Sequence, residues 1–584
     1  MGKFCHCRFM DIVHNPYNVG QAGQSEQFLY FSGIDDGGGF LYRLQIGRLI
    51  IKFMFFKKTA LFCKRLFNVL KTAFKVLVKP RLTRPQRLKL FFEESGGAFI
   101  KLGQILALRR DFLPADYTLE LLKLLNNMPV APFSEIHKIF MEDIGETAGK
   151  FFKSFDENPI GSASIAQVYE AVLKNSPRGE AGGETVAVKI RRPGIEKVFE
   201  ADFLIISFLA SVIDLFNLTS SLSVKEVADD FIRWTKRELD FRRESNNAAA
   251  FLKYSQGMPA TIIPRQYQEY TSARVLIQEF ISDGVSVLDV VLGKYGAEQL
   301  REKGINPDRM ALYLIKDAMR QYFIDGFFHA DAHPANLALL PGDDISPDGK
   351  LAYFDFGIVG EAEKENRLIL LKFVYAISIK DIEMTTKYLL EYGKKNFKYE
   401  INSYFRVEPK KQKIVDEIME KMEEIIISDF KKEVREIMEP WFGAIKNGEA
   451  NYKDKSAALA FLRLVRKAEK YGVRFPLDII LFFRGLVIDD MVALQISPQF
   501  DIMEAMRSFF EEHSVEEVEE TVRNQTNWKE IDEKIVSLND DWEAFTESSI
   551  THREKVAVMK ERIIEMVFYY AERYPEVRSL LKKL

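Results

Sequence analysis

The alternation of apolar and polar positions changes character several times along the chain. Residues 1–42 contain much Gly, Asn and Gln with little pattern, and read as a flexible lead-in. Residues 43–84 differ sharply, because no acidic residue stands between Asp36 and Glu93 while Lys and Arg recur throughout. Phe62, Leu66, Leu70, Ala73 and Leu77 follow a helical spacing, and Lys64, Asn68, Lys71, Lys75 and Lys79 follow it on another face. This predicts a basic amphipathic helix, preceded by the apolar run Phe53-Met54-Phe55-Phe56. From Arg87 to Asn127 the period is again helical. After Pro129 and Pro132 short β-prone runs follow, at Ala166–Val172, Thr185–Ile190 and Arg274–Phe280, with one helical stretch, Val224–Tyr254, between the last two. Strands with one long helix between them predict a small mixed sheet of the α+β type. Beyond Asp308 helices dominate, broken by loop-like phrases at 329–336 and 353–357, and past Glu361 the chain reads as helical to its end. The most apolar stretch, Leu477–Leu494, contains Asp478, Arg484, Asp489 and Asp490, which are costly at a bilayer centre. It predicts a buried helix, not a membrane span.

Composition narrows the classes. At 584 residues the chain exceeds what one core holds, and 47% hydrophobic with 29% charged residues excludes general disorder. The three cysteines, Cys5, Cys7 and Cys63, all precede the β-prone region, so neither a disulfide framework nor a zinc core is expected. Cys5-His6-Cys7 has no second ligand pair after it. With no secretory signal pattern, a cytoplasmic, reducing location is the expectation. The net charge of -3 conceals the basic 43–84 segment. Its lysines, each worth on the order of 1 kcal/mol near anionic headgroups, predict peripheral attachment to an anionic membrane surface. The alternative is a helix packed on the acidic C-terminal part of the same chain. Nucleic-acid recognition is not expected, because the basic residues border a continuous apolar face.

Four phrases in one order carry the chemistry. Gly161-Ser162-Ala163-Ser164-Ile165-Ala166-Gln167-Val168 fits a phosphate-covering turn of the G-x-G-x-x-G-x-V type with two glycines replaced by alanine, which stiffens the turn. Val186-Ala187-Val188-Lys189 places a lysine on a strand, where its point charge suits α- and β-phosphates. Glu244, on the helix that follows, is the candidate ion-pair partner that positions it. In His329-Ala330-Asp331-Ala332-His333-Pro334-Ala335-Asn336, Asp331 suits an attacking hydroxyl or water, and Asn336, five residues on, suits Mg²⁺. Tyr353-Phe354-Asp355-Phe356-Gly357 runs a strand into D-F-G, with Asp355 as the principal Mg²⁺ ligand. Glu279 and Ile281, within Leu276–Ile281, stand where main-chain groups would pair with adenine. The implied cofactors are ATP and Mg²⁺.

Two departures separate the chain from ordinary protein kinases. Ala330 replaces the arginine of H-R-D, and no A-P-E phrase follows D-F-G. Together with Lys101-Leu102-Gly103-Gln104 and with Glu238-Leu239-Asp240 ahead of Glu244, these phrases resemble the UbiB (aarF-domain) family of atypical kinases, over roughly residues 85–510. The helix with Arg484 and Ser497-Pro498-Gln499-Phe500-Asp501 extend the likeness. The resemblance implies a two-lobed kinase-like α+β fold: a small lobe with an antiparallel sheet and helical insertions, a helical second lobe and a long all-α extension. It implies ATPase or small-molecule kinase activity rather than protein phosphorylation, in support of isoprenoid-quinone synthesis at a membrane. Partners implied are an isoprenoid lipid and other quinone-biosynthesis proteins. Lys101, Gly103, Gln104, Glu238 and Asp240 become regulatory positions, with the K-x-G-Q helix lying over the site. The C-terminal membrane hairpin of many bacterial relatives is not readable here, which adds weight to residues 43–89. A choline- or aminoglycoside-kinase-like phosphotransferase and a nucleotide-gated scaffold are the competing readings. The expected partition is 1–42 lead-in, 43–84 interface helix, 85–130 K-x-G-Q extension, 131–283 small lobe, 284–380 second lobe and 381–584 helical extension.

Overall fold

Helix formation is described from Ala60 onward in the computed structural model, which covers residues 60–107, 113, 115–125, 130–145, 148–174, 183–215, 224–391, 409–446, 456–470, 477–525, 567 and 569–583. The lead-in at 1–42, Cys5-His6-Cys7 and the run at 53–56 lie outside the described residues. The basic helix is α1 (Ala60–Val78). It buries Phe62, Val69 and Val76 against the main core. Leu70 and Leu77, which the periodicity assigns to the same face as Phe62, are exposed instead. They lie about 60–80° around the helix from Phe62, and the whole apolar arc is wider than the core accepts. Among the described residues α1 packs not on the acidic C-terminal part but on α2 (Arg84–Ser95), capped by Thr83 and Gln86, and on a helix of the small lobe described below.

The turn after α2 holds two glycines at positive φ, Gly96 (65°) and Gly97 (59°), a conformation costly for other residues. It leads into α3 (Ala98–Ala107), the K-x-G-Q helix, and then α4 (Ala115–Leu122). Helix α5 (Phe133–Ile144) covers one face of an antiparallel five-stranded sheet formed by β1 (Phe152–Phe155), β2 (Gly161–Ser162), β3 (Ala166–Leu173), β4 (Thr185–Arg191) and β6 (Val275–Glu279). The order is β1-β3-β4-β6, with β2 on β3. Ile136, Ile139 and Phe140 of α5 meet Phe152, Tyr169, Val186 and Val188 in a separate small core. The three expected strands are therefore present.

The helix α6 (Ile195–Leu215) follows β4 where none was expected, and the expected stretch Val224–Tyr254 is two helices, α7 (Val224–Arg237) and α8 (Phe241–Tyr254). The break falls at Asp240, whose carboxylate accepts the Arg242 N–H (3.2 Å) and starts a new helix.

In the second lobe, α9 (Pro307–Arg320) precedes β8 (Phe327–His329), β9 (Leu337–Leu340), β10 (Lys350–Tyr353) and β11 (Val359–Glu361). With β5 (Thr261–Ile262) and β7 (Val285–Ser286) these form a four-stranded sheet, β5-β10-β9-β7, and the pair β11-β8. The phrase at 329–336 is thus framed by strands rather than by helices, and that at 353–357 has the expected strand before it, β10, and a further one, β11, after it. Such short, fully buried runs carry no period that separates strand from helix. The described remainder is helical, with α10 (Lys364–Ser378), α11 (Pro409–Lys446), α12 (Ala457–Lys470), α13 (Leu477–Ile496), α14 (Ile502–Glu512), α15 (Val515–Asn524) and α16 (Pro575–Leu581). Helix α13 is buried through Phe482, Phe483, Leu486 and Met491, and no described helix is long and apolar enough to cross a membrane. The fold is the two-lobed kinase-like α+β arrangement.

Candidate active site

Lys189 is fixed by register, opposite Val168 on β3 and Leu276 on β6. Its neighbours Val188 and Ile190 point into the small core, so strand alternation turns Lys189 to the other face, toward the cleft. There Nζ donates to both oxygens of Glu244 (2.7 and 2.9 Å) and to Oδ2 of Asp355 (3.0 Å), above the Phe241 ring. Burial opposes its charge, but Asp355 and Glu244 outweigh burial and raise its pKa. Burial and the Asp355 charge push Glu244 up to about 7, against the pull of Lys189. Burial also works against Asp355, yet Lys189, the Gly357 N–H (2.9 Å) and Lys101 hold its carboxyl far below the usual range. One ammonium thus ties a strand, helix α8 and the D-F-G turn together, residues 55 and 166 positions away in sequence.

The loop after β8 is joined to the same turn by His329. The Asp331 N–H donates to His329 Nδ1 (3.2 Å), so Nε2 carries the proton and donates to the Asp355 carbonyl oxygen. Burial pulls His329 below its ordinary value, keeping it neutral. The Asn336 amide NH₂ donates to the Asp331 carbonyl (3.3 Å), which leaves the amide oxygen to accept or coordinate. His329 thereby ties the Asp331 main chain to the Asp355 main chain, and the charges of both aspartates act on Lys101.

The K-x-G-Q helix covers this cluster. Lys101 pairs with Glu238 at 2.8 Å, both side chains largely buried. Burial disfavours the lysine charge, but Glu238, Asp331 and Asp355 raise its pKa overall, while burial raises that of Glu238 despite Lys101. Gln104 donates to the Leu124 carbonyl (2.8 Å) and accepts from Ser164 Oγ (3.4 Å), reaching the turn between β2 and β3. Gly103 permits the close packing, since a Cβ there would stand 2.7 Å from Leu124 and 2.8 Å from Phe92. Gly103→Ala is therefore expected to cost about 1–3 kcal/mol in urea unfolding, from overpacking. An unchanged midpoint would show that the helix yields.

The turn itself is stiffened from within and outside. Gly161 pairs with Val168, and the Ala163 N–H donates to the Ala166 carbonyl (2.8 Å). Arg192, which the motif reading passed over, donates to the Ala163 carbonyl (2.9 Å) and to Ser162 Oγ (2.7 Å), while its own N–H donates to the Ile165 carbonyl (2.8 Å). Only its place directly after the lysine strand could have drawn attention to it. Asn247 was passed over too; its amide donates to the Phe356 carbonyl (2.9 Å) and holds the D-F-G turn on α8. Ala187 lies buried on β4 opposite Gln278, with Glu279 at the end of β6 and Ile281 just beyond. The Glu279 carboxylate accepts the Arg265 N–H (3.2 Å), and its own N–H donates to the Arg265 carbonyl (2.8 Å). Asp240 is a helix cap bound to Arg242 (2.8 Å), not a member of the cluster.

This assembly of strand lysine, helix glutamate, aspartate and asparagine on the loop after β8, and D-F-G aspartate defines a kinase-like arrangement. Comparison with known proteins narrows the class. Residues 123–389 match the ABC1 atypical kinase-like domain. The chain is 32% identical over 305 residues to an uncharacterized protein of Synechocystis sp., spanning 51% of this chain and 71% of that protein. It is 29% identical over 437 residues to the Probable protein kinase UbiB of Marinobacter nauticus, covering 74% and 71%. It is 33% identical over 321 residues to a protein of the hydrogenase 1 5′ region of Clostridium pasteurianum, covering 55% of this chain but only 56% of that protein. The chain belongs to the ABC1/UbiB atypical kinase-like family.

Proposed function

We propose that this protein binds ATP with Mg²⁺ and hydrolyses it, or transfers its terminal phosphoryl group to a small molecule or lipid, in support of isoprenoid-quinone biosynthesis at a membrane. The observation that carries this reading is Lys189 held between Glu244 and Asp355, with Asp331 and Asn336 on a loop tied to the same turn. The donor set suits Mg²⁺, since a carboxylate and an amide oxygen are the hard oxygen ligands it prefers. Two buried polar atoms bordering the cluster, Glu238 Oε1 and His333 Nδ1, have no hydrogen-bond partner among the described residues, as befits a cleft built for a polar ligand.

ATP and Mg²⁺ supply the reactive phosphoryl group and the cation that neutralises it. Lys189 would hold the α- and β-phosphates, and the stiff turn of Gly161–Val168 would cover them. Asp355 and Asn336 would hold the cation, and Asp331 would orient the attacking hydroxyl or water.

Although several relatives carry the name protein kinase, two features favour a small acceptor. Only residues 358–363 separate D-F-G from α10, which leaves little chain to bind a peptide, and α3 already lies over the carboxylates. Membrane association is supported by the outer arc of α1. Phe67, Leu70, Phe74 and Leu77 are 66%, 59%, 69% and 68% exposed, beside the exposed Lys64 and Lys71. An isoprenoid lipid and other quinone-biosynthesis proteins are the partners this surface would meet.

The test is phosphate release from ATP with and without Mg²⁺ and anionic vesicles, followed by lipid extraction for a bound isoprenoid. Mg²⁺-dependent release is expected. Nucleotide binding with no release under any of these conditions would leave only a nucleotide-gated scaffold.

A further inference from the structure

The K-x-G-Q helix α3 begins without a capping side chain of its own. The residue before Ala98 is Gly97, so the first turn has orphan N–H groups and nothing local to accept them. The acceptor comes from 104 residues away: Asp202 Oδ2, on α6, takes the Ala98 N–H at 2.9 Å. That carboxylate is fully buried, and it is clamped by Arg65 of α1 through two bonds, Nε to Oδ1 at 2.6 Å and Nη2 to Oδ2 at 3.0 Å. Arg65 Nη2 also donates to the Gly96 carbonyl at 3.0 Å, holding the turn that launches α3. The junction has no room for a side chain at Gly97, where a Cβ would stand 2.3 Å from Asp202 Oδ2 and 2.9 Å from Arg65 Nη2. Three segments therefore meet at one carboxylate: the basic helix, the start of the K-x-G-Q helix, and the helix that follows the Lys189 strand.

We infer that Arg65 and Asp202 are positioning residues for Lys101, which act on the phosphate-handling cleft without touching it. Lys101 stands three residues after Ala98, less than one helical turn from the clamp, so the clamp sets where its ammonium falls. Clamped, that ammonium pairs with Glu238 and lies in the field of Asp331 and Asp355. Since Asp355 is a carboxylate the cation must engage, a fixed Lys101 competes with Mg²⁺ for it. Releasing the clamp lets α3 shift, weakens that competition and lowers the Mg²⁺ concentration the site requires. The negative charge of Asp202 at the N-terminus of α3 also favours the helix dipole, so charge as well as shape is involved.

The inference rests on the reading of the cleft as an Mg²⁺–ATP site, and the test separates the two. Asp202→Ala, Asp202→Asn and Arg65→Ala are each made in the full chain and in a Lys101→Ala background. Mg²⁺ dependence of ATP turnover and of fluorescent-ATP binding is measured, together with amide hydrogen exchange of residues 98–107 and of the Lys189 strand. Exchange over 98–107 is expected to rise at least tenfold in Asp202→Ala while the strand stays protected. The Mg²⁺ concentration for half-maximal effect is expected to fall several-fold, more for Asp202→Ala than for Asp202→Asn, and to change less than twofold once Lys101 is alanine. Equal shifts in both backgrounds would reduce the clamp to a structural role and overturn the inference, as would unchanged exchange over 98–107. If even the unaltered chain neither binds nor turns over ATP, the reading of the cleft falls, and the inference falls with it. Exchange over 98–107 would then show only whether the clamp holds the helix.

Discussion

Asp355→Asn is expected to lower Mg²⁺-dependent phosphate release by at least ~100-fold at saturating ATP, the scale on which loss of one preorganised electrostatic group acts. The substitution keeps the size of the side chain and an oxygen for the Gly357 N–H, so the turn retains its shape. What disappears is the charge that Lys189 and Lys101 hold ionised far into acid. An amide is a far weaker ligand for a hard dication, and raising Mg²⁺ should recover only part of the rate. Lys189 keeps Glu244 as a partner, so the fold should survive, which thermal unfolding with and without nucleotide would verify. Equal phosphate release from the variant and the unaltered chain would remove Asp355 from the chemistry.

Replacing Phe67 and Phe74 together by glutamate is expected to weaken binding to anionic vesicles about 100-fold. Both rings are largely exposed, so neither contributes to the core. Each is worth roughly 1.5–3 kcal/mol when fully buried, and about 3 kcal/mol for the pair corresponds to that factor. The new carboxylates add repulsion from anionic headgroups and should make the loss greatest at low salt. Vesicle sedimentation at two salt concentrations measures it, and zwitterionic vesicles serve as the comparison. Val69→Glu is the contrasting change: it strikes the buried side of the same helix and should unfold the region instead. Undiminished sedimentation of the Phe67/Phe74 variant would end the case for α1 as the attachment surface.

Much of the site was legible because short-range geometry imposed it. A lysine on a strand, an aspartate and an asparagine five apart, and D-F-G after a strand are each set by neighbours a few residues away, so their spacing survives as text. The three small-lobe strands were legible for a similar reason: each is bounded by turn residues and enriched in β-branched side chains. The family phrase K-x-G-Q was legible only as a resemblance, since nothing in its spacing says that Lys101 meets Glu238 across the cleft.

The sequence by itself therefore determined the α+β class, the order of the four kinase-like phrases and the candidacy of Lys189, Asp331, Asn336 and Asp355. Tertiary structure alone decided which arc of α1 is buried, because the apolar positions of that helix exceed what one core contact needs. It also decided that Asp240 caps a helix rather than entering the site, and that Arg192, Asn247, Arg65 and Asp202 brace the cleft from outside it. For the four bracing residues the physical reason is the same. A hydrogen bond or ion pair between residues more than twenty positions apart depends on where whole elements pack, and packing is governed by the sum of buried surface, which no local spacing encodes.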